Sequence, residues 1–231
     1  MSYKNKDINQ RHLFTTVKTA KGRKISSTHW LQRQLNDPYV ALSKQDGYRS
    51  RAAYKLLEID QKFQILKPEY TIVDLGAAPG GWSQVALDKV MNYKKEQSKG
   101  SVIAIDLISL APIENLITIQ GDFTEQTIQN ILNTHLKQKA NVILSDMAPP
   151  TSGHPDIDHI RIISLCEIAL DFAHTNLITN GNFVTKLFAG KEEQQFIKTL
   201  QQHFKSVKRF KPHASRPKSS EFYIIAKGFL T

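Results

Sequence analysis

From Thr71 onward the hydrophobic positions fall into short dense runs, separated by longer stretches with apolar residues at helical spacing. β-rich runs occur at 71–75, 101–107, 116–120, 141–145, 182–188, 206–210 and 222–229. Helical spacing lies between most of them, near 81–93, 124–137, 157–178 and 192–204. This alternation predicts right-handed crossovers and a mainly parallel sheet with helices on both faces. The last two runs are joined only by the short basic stretch Lys211 to Ser220, too short for a helical crossover. The last strand is therefore expected to run antiparallel. The expected fold class is α/β, with a seven-stranded, mostly parallel sheet. Upstream, Thr28 to Asn36 reads as a short helix. Ser50 reads as the N-cap of a longer helix with Ala53, Tyr54, Leu57 and Phe63 as apolar positions, and Pro68 ends the helical region. Residues 1–26 are polar and basic without a strong period, which predicts a mobile arm. The expected organisation is a basic arm over 1–27 and a single domain over 28–231.

With 231 residues, 40% of them hydrophobic, the chain has enough apolar surface for one full core. No apolar stretch approaches the length of a membrane span. The start lacks the apolar core of a secretory signal, and Asp7 with a weak apolar face argues against a transit peptide. The single cysteine, Cys166, lies within an apolar helical run, which predicts a small core residue and a reducing compartment.

The net charge of +10 is segregated. Residues 1–67 carry 14 Lys/Arg against 5 Asp/Glu, and residues 205–231 carry 7 against 1. The middle is acidic, with 10 against 15. Basic ends favour a polyanionic partner, because Lys and Arg release counterions condensed on phosphates. The bland alternative is that the ends only keep the protein soluble. An anionic membrane fits less well, since the basic segments lack a clean amphipathic face. Nucleic acid is the expected partner.

The run Asp74-Leu75-Gly76-Ala77-Ala78-Pro79-Gly80-Gly81-Trp82 follows an apolar strand and opens a helical pattern. Gly76, Gly80 and Gly81 leave room for ligand atoms. Pro79 removes a donor N–H, which is poor for cradling a pyrophosphate, so a phosphate-free nucleoside fits better. Asp106 ends the second strand, where a carboxylate accepts from both ribose hydroxyls. Asp122 follows the third strand and is placed to accept from an adenine amino group. Each acid alone reads equally well as a helix cap or a solvated loop charge. Three matching strand ends in order favour a site.

The turn resembles motif one of S-adenosylmethionine-dependent methyltransferases. More narrowly, DLGAAPGGWSQ, QGDF, LSDMAPPTSG, FVTKLF and SSEFYIIAKG resemble the FtsJ-type (RrmJ-type) 2′-O-ribose methyltransferases of large-subunit ribosomal RNA, from about Thr28 to the end of the chain. The resemblance implies a Rossmann-like methyltransferase fold and S-adenosylmethionine as cofactor. It implies cofactor contacts at Gly80, Trp82, Asp106, Asp122 and Asp146. It also implies a Lys-Asp-Lys-Glu tetrad at Lys55, Asp146, Lys186 and Glu221. Its expected substrate is a uridine of the large-subunit (23S) A-loop, within the assembling subunit. A monomer in the bacterial cytosol is expected, an organelle less so. The alternatives are methylation of tRNA or of an mRNA cap, or a non-catalytic RNA-binding assembly factor.

The chemistry asks for such a set. A ribose hydroxyl is a weak nucleophile and needs a base and tight alignment. Lysine serves as a base when its neighbours and burial adjust it, and carboxylates orient the amine. Lys186 interrupts an apolar strand near its C-terminal end and is expected as the general base. Asp146 is expected nearest the sulfonium end of the cofactor, Lys55 to hold the ribose or tune Lys186, and Glu221 to pair with a lysine. Taken singly, Lys55 reads as a surface lysine, Glu221 as a solvated charge, and Asp146 as a cap about as readily as a site residue. No metal is expected: His154, Asp156, Asp158 and His159 have no standard zinc spacing and read as helix-start charges.

The arm, the stretch with Lys44, Arg49, Arg51 and Lys55, and the Lys205–Lys218 segment are expected to form a groove for phosphates. His29, Trp30, Tyr48 and Tyr54 interleave with these charges. Trp30 and Tyr54 are expected to be packing residues rather than base-stacking ones. Neutralising Lys21, Arg23 and Lys24 together is expected to weaken RNA affinity and flatten its salt dependence. Binding titrations across a salt series check this, and an unchanged slope would show that these residues do not touch phosphate.

Overall fold

The computed structural model describes residues 15–17, 25–91 and 100–230. The basic cluster at 18–24 and the Trp30 side chain lie outside the described residues. Within the segment expected as a mobile arm, Thr15 and Val17 are tied to the first helix. The Thr15 N–H donates to Asn36 Oδ1 at 2.8 Å and the Val17 N–H to Gln32 Oε1 at 3.0 Å.

Seven strands form one sheet: β1 Thr71–Leu75, β2 Ser101–Asp106, β3 Leu116–Gln120, β4 Ala140–Ser145, β5 Leu177–Phe188, β6 Phe204–Phe210 and β7 Glu221–Phe229. Their order is β3-β2-β1-β4-β5-β7-β6, with the first five parallel and β7 antiparallel to both β5 and β6. The helices are α1 Ile25–Leu35, α2 Pro38–Gln45, α3 Ala52–Phe63, α4 Gly81–Val90, α5 Gln126–His135, α6 Pro155–Asn176 and α7 Glu193–His203. The expected α/β class, the seven strands and the antiparallel last strand are all present. β5 begins five residues earlier than its apolar run, because Leu177 pairs with Ala140 before a bulge.

Two differences lie near the start. The apolar pattern does not predict α2; Asp37 caps it by accepting the Tyr39 N–H, and Pro38 occupies its first turn. Ser50 does not cap α3. The residue before α3 is Arg51, without a side-chain cap, and the Ser50 Oγ is buried with no hydrogen-bond partner among the described residues.

Strand alternation divides the core. One set of sheet positions, including Val73, Leu75, Ile103, Ile143 and Phe183, packs on α5, α6 and α7. The other, including Ile72, Val102, Val142, Leu144, Val184, Tyr223 and Ile225, packs on Ala53, Leu56 and Ile59 of α3 and Val85 and Ala86 of α4. Cys166, on α6, packs with the first set. Its Sγ lies 3.2 Å from both the Thr185 hydroxyl and the Lys186 carbonyl, and burial pushes the thiol up to about 12. It is a packing residue and no nucleophile. No described helix is long and apolar enough to cross a membrane.

Asp74 on β1 faces α4 and is fully buried. The Ser83 hydroxyl donates to its Oδ2 at 2.6 Å, and Oδ1 has no partner among the described residues. Burial pushes this carboxyl up to about 7; the Ser83 bond opposes the rise, and Asp146 and Asp106 add to it. An unfolded Asp titrates near about 3.9. Between about pH 4 and 7 the folded state therefore holds a proton that the unfolded state has shed, and stability falls as pH rises. Asp74→Asn removes that titration. In thermal melts the variant is expected to gain steadily on the wild type from pH 5 to about pH 7 and to hold that gain at pH 8; a constant difference from pH 5 to pH 7 would contradict this assignment.

Candidate active site

The parallel strands end together, and their C-terminal edge carries the expected residues. The ladder hydrogen bonding continues one residue beyond the strands. The Gly76 N–H donates to Ile105 O at 2.9 Å, the Gly121 N–H to Asp106 O at 2.9 Å, and the Asp146 N–H to Leu75 O at 3.0 Å. These bonds fix where Asp106, Asp122 and Asp146 leave the sheet.

Two glycines shape the turn after β1. Gly76 has φ +76°, and a Cβ there would come within 2.7 Å of the Met147 backbone nitrogen. Only glycine lets the turn lie so close to the loop after β4. Gly80 has φ +113° and opens α4. The first turn of α4 leaves N–H groups without intrahelical carbonyls.

Asp106 is held at both oxygens. Oδ2 accepts the Ala78 N–H at 2.8 Å and Oδ1 the Ile108 N–H at 2.9 Å. Asp122 accepts the Thr124 N–H and hydroxyl on Oδ1, at 2.9 and 2.7 Å. Trp82 is placed differently from a ligand-facing ring. It is 3% exposed, donates from Nε1 to Ala52 O at 2.8 Å, and packs on Tyr223 with ring centroids 5.5 Å apart. Its side chain joins α4 to α3, so only its main chain lines the turn.

The other four residues come together on one face. Asp146 and Lys186 continue the alternation of Leu144 and Val184, and Glu221 and Tyr223 that of Ile225; all of these positions face α3 and α4. Lys186 lies opposite Tyr223 in the β5–β7 register, and Phe188 opposite Glu221. Lys55 reaches the same space from α3. Lys186 Nζ is 2.9 Å from Asp146 Oδ1 and donates to Asp146 O at 2.5 Å. Lys55 Nζ is 2.6 Å from Glu221 Oε1. Tyr223 connects the two pairs: its hydroxyl donates to Asp146 Oδ1 at 2.7 Å and accepts from Lys55 Nζ at 3.2 Å.

Burial alone would raise the Asp146 carboxyl. The charges of Lys186 and Lys55 and the Tyr223 hydroxyl outweigh it and hold the carboxyl below its ordinary range. Burial, then the charges of Asp146 and Glu221, drive the Tyr223 phenol well above its ordinary value. Tyr223 is therefore a neutral donor to an ionised Asp146. Sequence reasoning missed Tyr223. The available signal was its parity: two residues after Glu221 on a strand, it shares that residue's face.

Part of the expected phosphate-binding stretch is committed elsewhere. Arg49 donates to Ala111 O at 2.6 Å and Pro112 O at 2.7 Å, bracing the loop after β2 against the glycine turn. Arg51 Nε lies 3.1 Å from Asp37. Both guanidinium groups are spent within the fold, because their planar forks match nearby carbonyls and a carboxylate. Tyr54 is 1% exposed and donates to Asp46 Oδ2 at 2.8 Å, as a packing residue does. Among the described residues no three His, Cys, Asp or Glu side chains converge as metal ligands. Asp158 accepts the Ser152 N–H, and His159 is bound to Phe188 O and Glu192.

Known proteins agree with this architecture. A Paramagnetospirillum magneticum protein named ribosomal RNA large subunit methyltransferase E is 51% identical over 219 residues, spanning 95% of this chain and 89% of its own. The protein of the same name from Rickettsia bellii is 47% identical, spanning 94% and 95%. A solved ribosomal RNA methyltransferase structure from Plasmodium falciparum superposes with a TM-score of 0.70 at 32% identity, over 79% of this chain and 99% of that one. The fibrillarin/Nop5p complex structure shares the fold, with a TM-score of 0.52 at 19% identity over 77% and 83%. Residues 48–229 match the family profile of FtsJ-like methyltransferases. The chain is a methyltransferase and belongs to the FtsJ-like methyltransferase family.

Proposed function

We propose that this protein transfers a methyl group from S-adenosylmethionine to the ribose 2′-OH of a uridine in large-subunit (23S) ribosomal RNA. The proposed setting is the A-loop of an assembling subunit in the bacterial cytosol. The observation that carries the reading is the continuous network Lys186–Asp146–Tyr223–Lys55–Glu221 beside the glycine turn. The names of the bacterial relatives support the RNA class.

The residues at the sheet edge fit the cofactor. Each Asp106 oxygen already takes one backbone N–H and keeps a lone pair for a ribose hydroxyl. The Asp122 Oδ1 is taken by Thr124, which would leave Oδ2 to accept from an adenine amino group. Gly80 and the main chain of Trp82 offer the helix N-terminus to a carboxylate. Asp146 supplies a negative charge for the sulfonium end. Bound there, S-adenosylmethionine supplies an electrophilic methyl group on a sulfonium.

The chain's own groups do the proton chemistry. Lys186, once unprotonated, would take the 2′-OH proton as the ribose oxygen bonds to the methyl carbon and the methyl–sulfur bond breaks, leaving a neutral thioether. The resulting ammonium stays beside Asp146, at 2.9 Å. Tyr223 keeps its proton and fixes the Asp146 carboxylate from the other side. Lys55, held by Glu221, places a second cation where the ribose oxygen gains negative charge.

Lys186→Ala is expected to lower kcat by about 10²–10⁴-fold, the usual reach of general-base catalysis, with cofactor Kd nearly unchanged. Single-turnover kinetics and calorimetry check this, and parallel loss of both would contradict the base assignment. In a competition of large-subunit RNA, tRNA and capped RNA, labelled methyl is expected in the large-subunit RNA. Label in tRNA or a cap would move the substrate, and cofactor binding without turnover would favour a non-catalytic assembly factor.

A further inference from the structure

The connection from β6 to β7 runs from Lys211 to Ser220. Antiparallel neighbours are usually joined by about 2–5 residues, so this loop is longer than the reversal requires. It is also seated at several points. The Glu58 carboxylate on α3 accepts two successive backbone N–H groups, His213 on Oε2 at 2.6 Å and Ala214 on Oε1 at 2.9 Å. Arg51 donates to Ala214 O. Lys211 Nζ closes the base of the loop on Pro217 O at 3.2 Å and Ser219 O at 2.6 Å. Ala214 and Ser215 are buried, with Ala214 against Tyr39 and Tyr54.

The seated loop delivers one side chain to the site. The Ser215 hydroxyl donates to Glu221 Oε1 at 2.9 Å. That oxygen also takes the Lys55 ammonium, at 2.6 Å. Lys55 and Glu58 are three residues apart on α3 and so share one face. One helix therefore holds Glu221 twice: directly through Lys55, and through Glu58, the loop backbone and Ser215.

We propose that Ser215 and Glu58 are positioning residues for the Lys55–Glu221 pair, acting as one relay through the 211–220 loop. The proposal rests on the methyl-transfer reading above. Glu221 stands at the first residue of β7, and its side chain is held at Oε1 by Lys55 and Ser215. A carboxylate free to rotate would let Lys55 drift, and small misplacement of a site group is costly to rate. A serine serving only the loop's fold would have no need to donate to a carboxylate already paired with a lysine.

The test uses the full chain, S-adenosylmethionine and large-subunit RNA, comparing wild type, Ser215→Ala, Glu58→Gln and the double variant. The amide introduced by Glu58→Gln keeps one acceptor oxygen for two N–H groups, so the seat loosens without leaving a cavity. Each single variant is expected to lower kcat about tenfold, the scale of one lost hydrogen bond to a charged group, with cofactor Kd and KM within about twofold. The double variant is expected to be no slower than the slower single one, since both cut the same relay. An unchanged kcat in Ser215→Ala overturns the proposal. Matching losses of kcat and cofactor affinity, or multiplying effects in the double variant, overturn it equally. If Glu58→Gln does not fold, Ser215→Ala decides alone through its kcat and Kd. A wild type that methylates no RNA sinks the functional reading instead, which separates the two failures.

Discussion

The site depends on β7 running against its neighbours. Parallel strands end on one edge, and an antiparallel strand begins there. That reversal puts Glu221, the first residue of β7, and Tyr223, two residues on, beside Lys186 near the end of β5. A parallel β7 would leave both at the far edge. Strand parity then turns Asp146, Lys186, Glu221 and Tyr223 toward α3, from which Lys55 enters. Two opposite-charge pairs are joined through a phenol, so neither lysine nor carboxylate is left alone in a largely buried space.

This arrangement ties the two halves of the work together. The glycine turn after β1 and the acids after β2, β3 and β4 stand on the same edge as the tetrad. Trp82 packs beneath them against Tyr223 and bonds to α3. A shift of α3 would therefore disturb Lys55 and the helix that follows the glycine turn together. Asp146 is held low by Lys186, Lys55 and Tyr223 despite its burial, and so stays ionised.

Much of this was legible in the sequence because it is carried by local pattern. The seven apolar runs, the short β6–β7 connection and the glycine turn gave the sheet and its edge. Lys186 stood out because a lysine within an apolar strand run is uncomfortable as a bland residue. What escaped depended on contacts distant in sequence. Tyr223 looks like a core aromatic until Asp146 and Lys55 are beside it. Arg49 and Arg51 look like phosphate ligands until the carbonyls of 111–112 and the Asp37 carboxylate are seen to occupy them. Trp82 carries no local sign that its ring turns inward. Glu58 and Ser215 are 157 residues apart in sequence, and no periodicity links them.

The most direct test of the central claim is the chemical position of the transferred methyl. Large ribosomal subunits, free ribosomal RNA and tRNA would be incubated with the protein and labelled S-adenosylmethionine, digested to nucleosides and read by mass spectrometry. The account predicts 2′-O-methyluridine from large-subunit RNA. A methyl group on a base, or label confined to tRNA, would contradict it.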